Sequence, residues 1–166
     1  KHHSETEENL RREARKRGID PARIVFAKRV PQMADHLARL RLADLALDTH
    51  PYNGHTTSCD ALWAGVPVVT QRGEAFVSNV CASLLAAVGI PELIARSPEE
   101  YERLAIALAS DPQALASVRA KLAGRAKSPL FDTVRMTRHL ESAFETMHRR
   151  RLQGLPAEGF SVQRLP

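Results

Sequence analysis

Short, nearly continuous apolar runs alternate along this chain with longer segments in which apolar residues recur at helical spacing. The runs are Arg23 to Ala27 (RIVFA), Leu45 to Thr49 (LALDT) and Pro67 to Gln71 (PVVTQ). None has the apolar–polar alternation of a half-exposed strand, which predicts a sheet covered on both faces. Between the first two, Met33, Leu37 and Leu40 mark one face of a helix; between the second and third, residues 56–64 read as another, stopped by Gly65. Strand, helix, strand, helix, strand predicts a parallel α/β unit. Phe76, Val77, Val80, Cys81, Leu84, Leu85 and Val88 then form a stripe at 3.6-residue spacing, the mark of a buried helix, ended by Gly89 and followed by a short Leu93-Ile94 strand.

The flanks read differently. Residues 4–17 open on the capping-box pattern Ser4-Glu5-Thr6-Glu7, pair Glu7 with Arg11 and Glu8 with Arg12 at helical spacing, and stop at Gly18, which predicts a charged surface helix. From Ser97 the pattern is helical only, with starts at Ser97-Pro98-Glu99-Glu100, at Asp111-Pro112 and at Asp132. Residues 154–166 are rich in Pro, Gly and polar side chains and are expected to be loose. The expected architecture is α/β, a Rossmann-like parallel sheet with flanking helices and a helical carboxy-terminal tail. It forms one domain over residues 1–153, with a flexible segment after it.

Composition narrows the class without choosing a function. The 166 residues suffice for one domain with a real core, and 43% hydrophobic with 26% charged residues is ordinary globular usage. The net charge of +5 suits an anionic ligand, a nucleic acid or an acidic partner. The Arg149-Arg150-Arg151 run falls where cations favour a helix end, and no aromatic residues interleave with it, so a nucleic-acid partner is disfavoured. Only Cys59 and Cys81 occur, both within apolar periodic segments, as expected of buried thiols in a reducing, cytoplasmic setting. No apolar run is long enough to cross a bilayer, and Lys1-His2-His3-Ser4-Glu5 lacks a signal-peptide core. The pair His2-His3 has no neighbour to complete a ligand set and is set aside as a metal site.

In an open parallel sheet, ligands bind beyond the carboxyl ends of the strands. The loop after the second run is the unusual one, Asp48-Thr49-His50-Pro51-Tyr52-Asn53-Gly54-His55-Thr56-Thr57, entering a helix directly. Asn53-Gly54 is expected to take a left-handed turn, and Thr56 or Thr57 to cap the helix. A helix start bearing free N–H groups, two hydroxyls and the His55 imidazole suits phosphate oxygens without a metal, although four residues also fit an ordinary cap. His36 and Arg39 fall side by side at the border of the Met33-Leu37-Leu40 stripe; alone they read as a solvated basic flank, but the loop after the first run is expected to end a strand adjacent to the second and to face the same cleft. Asp60 sits one turn inside the second helix, where its carboxylate can accept from ribose hydroxyls or pair with an arginine. Asp48 and Glu74 are the acids near this cleft, each as readily structural as catalytic. No Ser-His-Asp arrangement, GxxxxGK[ST] loop or GxGxxG fingerprint occurs.

The stretch LADLALDTHPYNGHTTSCDALWAGVPVVT, residues 42–70, resembles the carboxy-terminal lobe of the O-linked N-acetylglucosamine transferase, or SPINDLY-type, glycosyltransferase family. The likeness extends from about Arg23 through Pro91-Glu92-Leu93-Ile94 to Ser128-Pro129-Leu130-Phe131. It implies a GT-B enzyme of two Rossmann-like lobes, with this lobe binding UDP-N-acetylglucosamine for inverting transfer to protein Ser or Thr hydroxyls. By the family's motif, Asn53 and Gly54 belong to the donor loop, His55, Thr56 and Thr57 contact the diphosphate, Asp60 the ribose, and His36 and Arg39 the uracil end. The family often has a Lys where this sequence has Met33. Its phosphate-neutralising Lys and acid-base groups lie upstream of the region matched here, so the resemblance implies partnership with an amino-terminal lobe and an acceptor protein. This chain alone is then expected not to transfer sugar. The other expectation is a catalytically silent nucleotide-binding or protein-interaction module.

Overall fold

The computed structural model describes residues 2–163, with side chains from residue 5 onward. Its contacts cluster into two units, Lys1–Asp35 and His36–Pro166. In the first, helix α1 runs His2–Lys16 and a short 3-10 turn covers Pro21–Arg23. Ser4 lies inside α1 rather than ahead of it, and its side chain falls outside the described residues, as does the pair His2-His3. The charged face forms as expected but with other partners: Glu13 receives both Lys16 and Arg17 at 2.7 and 2.6 Å, and Arg12 donates to Asn9. Hydrogen bonds from those two cations hold the Glu13 carboxyl down at about 2.

The expected strand over residues 23–27 does not form. Residues 24–30 carry no helix or strand, and Val25 is left exposed. Strand propensity is realised only against a neighbouring ladder. Here Phe26 instead lies under the Arg11 guanidinium, 5.2 Å from its ring centre, while Arg11 also donates to the Pro21 carbonyl.

The second unit holds a three-stranded parallel sheet in the order β1 (Ala46–Leu47), β2 (Val68–Gln71), β3 (Ile94–Ala95). Central β2 is buried along Val68, Val69 and Thr70, as its uninterrupted apolar run predicts. Helices connect the strands: α2 (Met33–Leu40) precedes β1, α3 (Thr56–Ala64) joins β1 to β2, and α4 (Val80–Val88) joins β2 to β3. Gly65 and Gly89 end α3 and α4 at φ 87° and 91°, the left-handed conformation that glycine adopts without penalty. Phe76 and Val77 fall in a 3-10 turn, Phe76–Ser78, so the buried helix begins later than its stripe suggested.

The tail is α5 (Pro98–Ser110), α6 (Pro112–Ala123) and α7 (Thr133–Leu152). Their three predicted caps form: Ser97 accepts from the Glu100 N–H, Asp111 from those of Gln113 and Ala114, and Asp132 from that of Arg135. Such caps contribute about 1 kcal/mol each. Residues 155–163 have no regular structure. Among the described residues, no helix is long and apolar enough to cross a membrane.

One core joins these layers. Leu62 of α3, Val69 of β2, Leu85 of α4, Ile90 and Leu122 of α6 are fully enclosed, each burial contributing about 1.5–3 kcal/mol. Cys81 lies in this core, and burial pushes its thiol up to about 12, whereas Cys59 is half-buried and less perturbed. At pH 8 an alkylating reagent is therefore expected to modify Cys59 first and to reach Cys81 only on unfolding. Mass spectrometry of a timed labelling series with and without urea checks this order, and equal labelling rates in the native protein would contradict it.

Candidate functional site

The loop from Asp48 to His55 leaves the carboxyl end of β1 and enters α3 under tight local control. Asp48 is its organiser: one carboxylate oxygen accepts the Gly54 N–H at 2.6 Å, and the other accepts the Thr70 hydroxyl of β2 at 2.6 Å. The Tyr101 hydroxyl of α5 donates to the Asp48 carbonyl at 2.9 Å. With both oxygens engaged by the chain, Asp48 is a structural acid. Within the loop, the Thr49 hydroxyl bonds the Tyr52 carbonyl, the Asn53 amide bonds the Thr49 carbonyl, and the His50–Pro51 peptide is cis. The Asn53 N–H donates to the Val77 carbonyl at 2.9 Å, tying this loop to the turn that follows β2.

Two expectations for this loop are corrected. Gly54 is not left-handed; among the described residues, positive φ occurs at Gly18, Gly65, Gly89 and Gly154 only. What Gly54 supplies is close approach: a Cβ there would stand 2.5 Å from the Ser58 hydroxyl oxygen and 2.6 Å from that of Thr57. Nor does a threonine cap α3. The N-cap residue is His55, which makes no side-chain cap bond, and Thr56 and Thr57 occupy the first helical turn with exposed side chains. The first N–H groups of a helix have no acceptor within it, so α3 presents an uncapped, partly positive end flanked by two hydroxyls.

Two polar atoms near this end are enclosed without a partner, Nε2 of His55 and Oδ1 of Asn53. Leaving such a group unpaired costs about 1–3 kcal/mol. The His55 ring stacks on Tyr52, centroids 5.3 Å apart and planes at 12°, and meets Phe76 edge-on at 6.1 Å. Beneath the helix start lies a cavity of about 190 Å³ lined by Leu40, Asp48, Thr49, Gly54, Thr57 and Ala61 among others.

His36, Arg39 and Asp60 do come together. Arg39 donates to Nδ1 of His36 at 3.2 Å, and Nε2 of His36 lies 3.3 Å from an Asp60 oxygen. An arginine only donates, so Nδ1 accepts and the imidazole proton sits on Nε2, facing the carboxylate. The result is a chain of polar groups linking α2 to α3 one turn in from the bare helix end. It is not built on adjacent strands, since residues 23–27 form none; α2 meets α3 directly. Asp60 pairs with a histidine rather than an arginine, and its second oxygen has no partner among the described residues.

The model of glycosyl transferase family 41 matches residues 1–140. The chain belongs to that family. A Caenorhabditis elegans UDP-N-acetylglucosamine--peptide N-acetylglucosaminyltransferase is 41% identical over 153 residues, covering 92% of this chain and 13% of that one. A Petunia hybrida relative, described as a probable transferase of the same kind and named SPINDLY, is 43% identical over 82% of this chain and 15% of its own length. Among solved structures, a mutant of the Thermobaculum terrenum O-GlcNAc transferase superposes with a TM-score of 0.80 at 37% identity, over 90% of this chain and 29% of that one. The chain therefore spans a small part of its family relatives, and the parallel α/β lobe read from the sequence is theirs in fold.

Sequence reasoning placed all eight candidate residues in one region but missed three organisers. The use of both Asp48 oxygens, the reach of Tyr101 across 53 positions, and the bracketing of His55 by Tyr52 and Phe76 all depend on loops that meet only in the folded chain. The local signal for the first was an acid at a strand end six residues before a glycine.

Proposed function

We propose that this chain is the donor-binding lobe of a transferase, holding UDP-N-acetylglucosamine with its diphosphate at the amino end of α3. The transferase moves the sugar, with inversion, to a Ser or Thr hydroxyl of a protein. The observation that carries the reading is the uncapped α3 end, where exposed Thr56 and Thr57 and an approach that admits only glycine at position 54 leave room for an anion. The relatives' names, which specify UDP-N-acetylglucosamine and a peptide acceptor, support it.

In this reading the N–H groups of α3, the Thr56 and Thr57 hydroxyls and His55 contact the phosphates, and Asn53 and Gly54 shape the loop that delivers them. Asp60 offers its unpaired oxygen to the ribose, and His36 and Arg39 stand toward the uracil. The cavity of about 190 Å³ is smaller than the roughly 300 Å³ at which small-molecule sites begin, so the lobe grips the phosphate end and leaves the rest of the ligand on an open face. As the acceptor oxygen bonds to the anomeric carbon, giving up its proton to a base of the facing lobe, and the bond to the β-phosphate oxygen breaks, negative charge grows on UDP. Fixed donors at a helix end stabilise that charge without reorganising, and the scheme needs no metal ion. A facing lobe and an acceptor protein complete the enzyme, and the chain alone is not expected to turn over donor.

Calorimetric titration of UDP tests the reading. His55→Ala is expected to weaken binding by about ten- to a hundredfold, the range for losing a hydrogen bond to a charged group. Absence of UDP binding to the unsubstituted chain would leave only an interaction module, and indifference to His55→Ala would take His55 out of the phosphate site.

A further inference from the structure

Phe76 and Tyr52 are the two largest exposed side chains beside the α3 end, 79% and 62% exposed, and neither contributes to the core. What each does contact is His55. Tyr52 covers one face of the imidazole, and Phe76 meets it at an interplanar angle of 88°. The backbone beneath them is fixed. Asn53 N–H bonds to the Val77 carbonyl, Gly73 N–H to that of Ser78, and the Asn79 amide to the carbonyls of Gly73 and Ala75. A Cβ at Gly73 would stand 2.3 Å from the Ser78 oxygen, so the turn carrying Phe76 has no slack. By contrast, no hydrogen bond among the described residues holds the His55 ring: Nε2 is enclosed without a partner and no cap bond forms. An imidazole on a loop with no polar anchor rotates about two side-chain bonds unless packing stops it.

We infer that Tyr52 and Phe76 are positioning residues: by bracketing the His55 ring from face and edge, they fix the nitrogen that meets the donor diphosphate. The inference rests on the diphosphate reading of the α3 end and adds to it the parts that hold its one aromatic donor in place. Aromatic pairs of this geometry favour offset stacking and edge-to-face contact, and a pre-oriented donor binds an anion without first losing rotamer freedom.

Because both rings are mostly exposed, their truncation leaves the core intact and the test readable. UDP and uridine are titrated into the chain and into Tyr52→Ala, Phe76→Ala and Tyr52→Phe, each also in a His55→Ala background, with a thermal melt of every variant. The expected result is UDP binding about three- to tenfold weaker in each alanine variant, as loss of one aromatic pair implies. Uridine binding is expected to stay unchanged, Tyr52→Phe to behave as the parent, and the alanine effects to vanish once His55 is gone. Unchanged UDP affinity in both alanine variants, or equal losses with and without His55, would overturn the inference while leaving the diphosphate site standing. Failure of the parent chain to bind UDP would overturn both.

Discussion

Replacing Asp48 with alanine is expected to lower the free energy of unfolding by about 3 kcal/mol, and to abolish UDP binding with it. The carboxylate satisfies two donors at once, the Gly54 N–H and the Thr70 hydroxyl, and Thr70 is fully buried. Removing it strands both, at about 1–3 kcal/mol for each unsatisfied group. It also releases the side-chain bond from this loop to Thr70 of central β2, leaving there the backbone bond from the Asp48 N–H to the Val69 carbonyl. Asp48→Asn separates shape from charge: its amide oxygen still accepts from Gly54, and the Thr70 hydroxyl rotates to accept from the amide nitrogen, so a loss of about 1 kcal/mol is expected. Urea titrations of the three proteins followed by circular dichroism give these differences. An alanine variant within about 0.5 kcal/mol of the parent would show that water replaces the carboxylate and that the loop is anchored elsewhere.

Gly54→Ala is the second large effect, and it strikes binding harder than folding. The new methyl would meet the oxygens of Ser58 and Thr57 at 2.5 and 2.6 Å and an Asp48 oxygen at 3.3 Å. Thr57 is exposed and can turn away, but Ser58 is 5% exposed and cannot, so the backbone must move. A small overpacking of this kind costs about 1–3 kcal/mol of stability. The movement carries the Gly54 N–H off Asp48 and swings the first turn of α3 out of line, and UDP affinity is expected to fall by about a hundredfold, since misplacing such donors by an ångström has that scale of effect. Removing the Ser58 hydroxyl in a Gly54→Ala, Ser58→Ala double variant should restore part of the loss. Calorimetry on both proteins decides, and full affinity in Gly54→Ala would mean that the close approach serves no ligand.

How much of this was legible beforehand depends on how local each cause is. The helices were: the apolar stripe through Leu85, the glycine stops at 65 and 89, and the caps at Ser97, Asp111 and Asp132 all act within a turn of the chain. Central β2 was legible for the same reason, its run Val68-Val69-Thr70 being enclosed on both faces. Residues 23–27 misled because β-rich composition records only a fit to a pleated surface, and this segment has no ladder. At the site, residue types were readable and geometry was not. The Asn53-Gly54 pair reads as a turn, whereas what Gly54 provides is absence of a side chain, a need set by Ser58, Thr57 and Asp48. Thr56 or Thr57 reads as the cap, whereas His55 stands in that position. His36, Arg39 and Asp60 do group, although not through adjacent strands, because His36 of α2 reaches Asp60 of α3 directly.

The bare start of α3 has a consequence for the lobe as a folded object. Helices α5, α6 and α7 each close their first turn with a side chain from the sequence, whereas α3, like α4, forgoes the roughly 1 kcal/mol that such a closure contributes. On the proposed reading, an anion seated there takes the part of the missing N-cap residue, supplied from solution instead of from the chain. Occupancy and folding are then two readings of one equilibrium: the loaded lobe melts higher than the empty one by an amount that grows with the logarithm of ligand concentration.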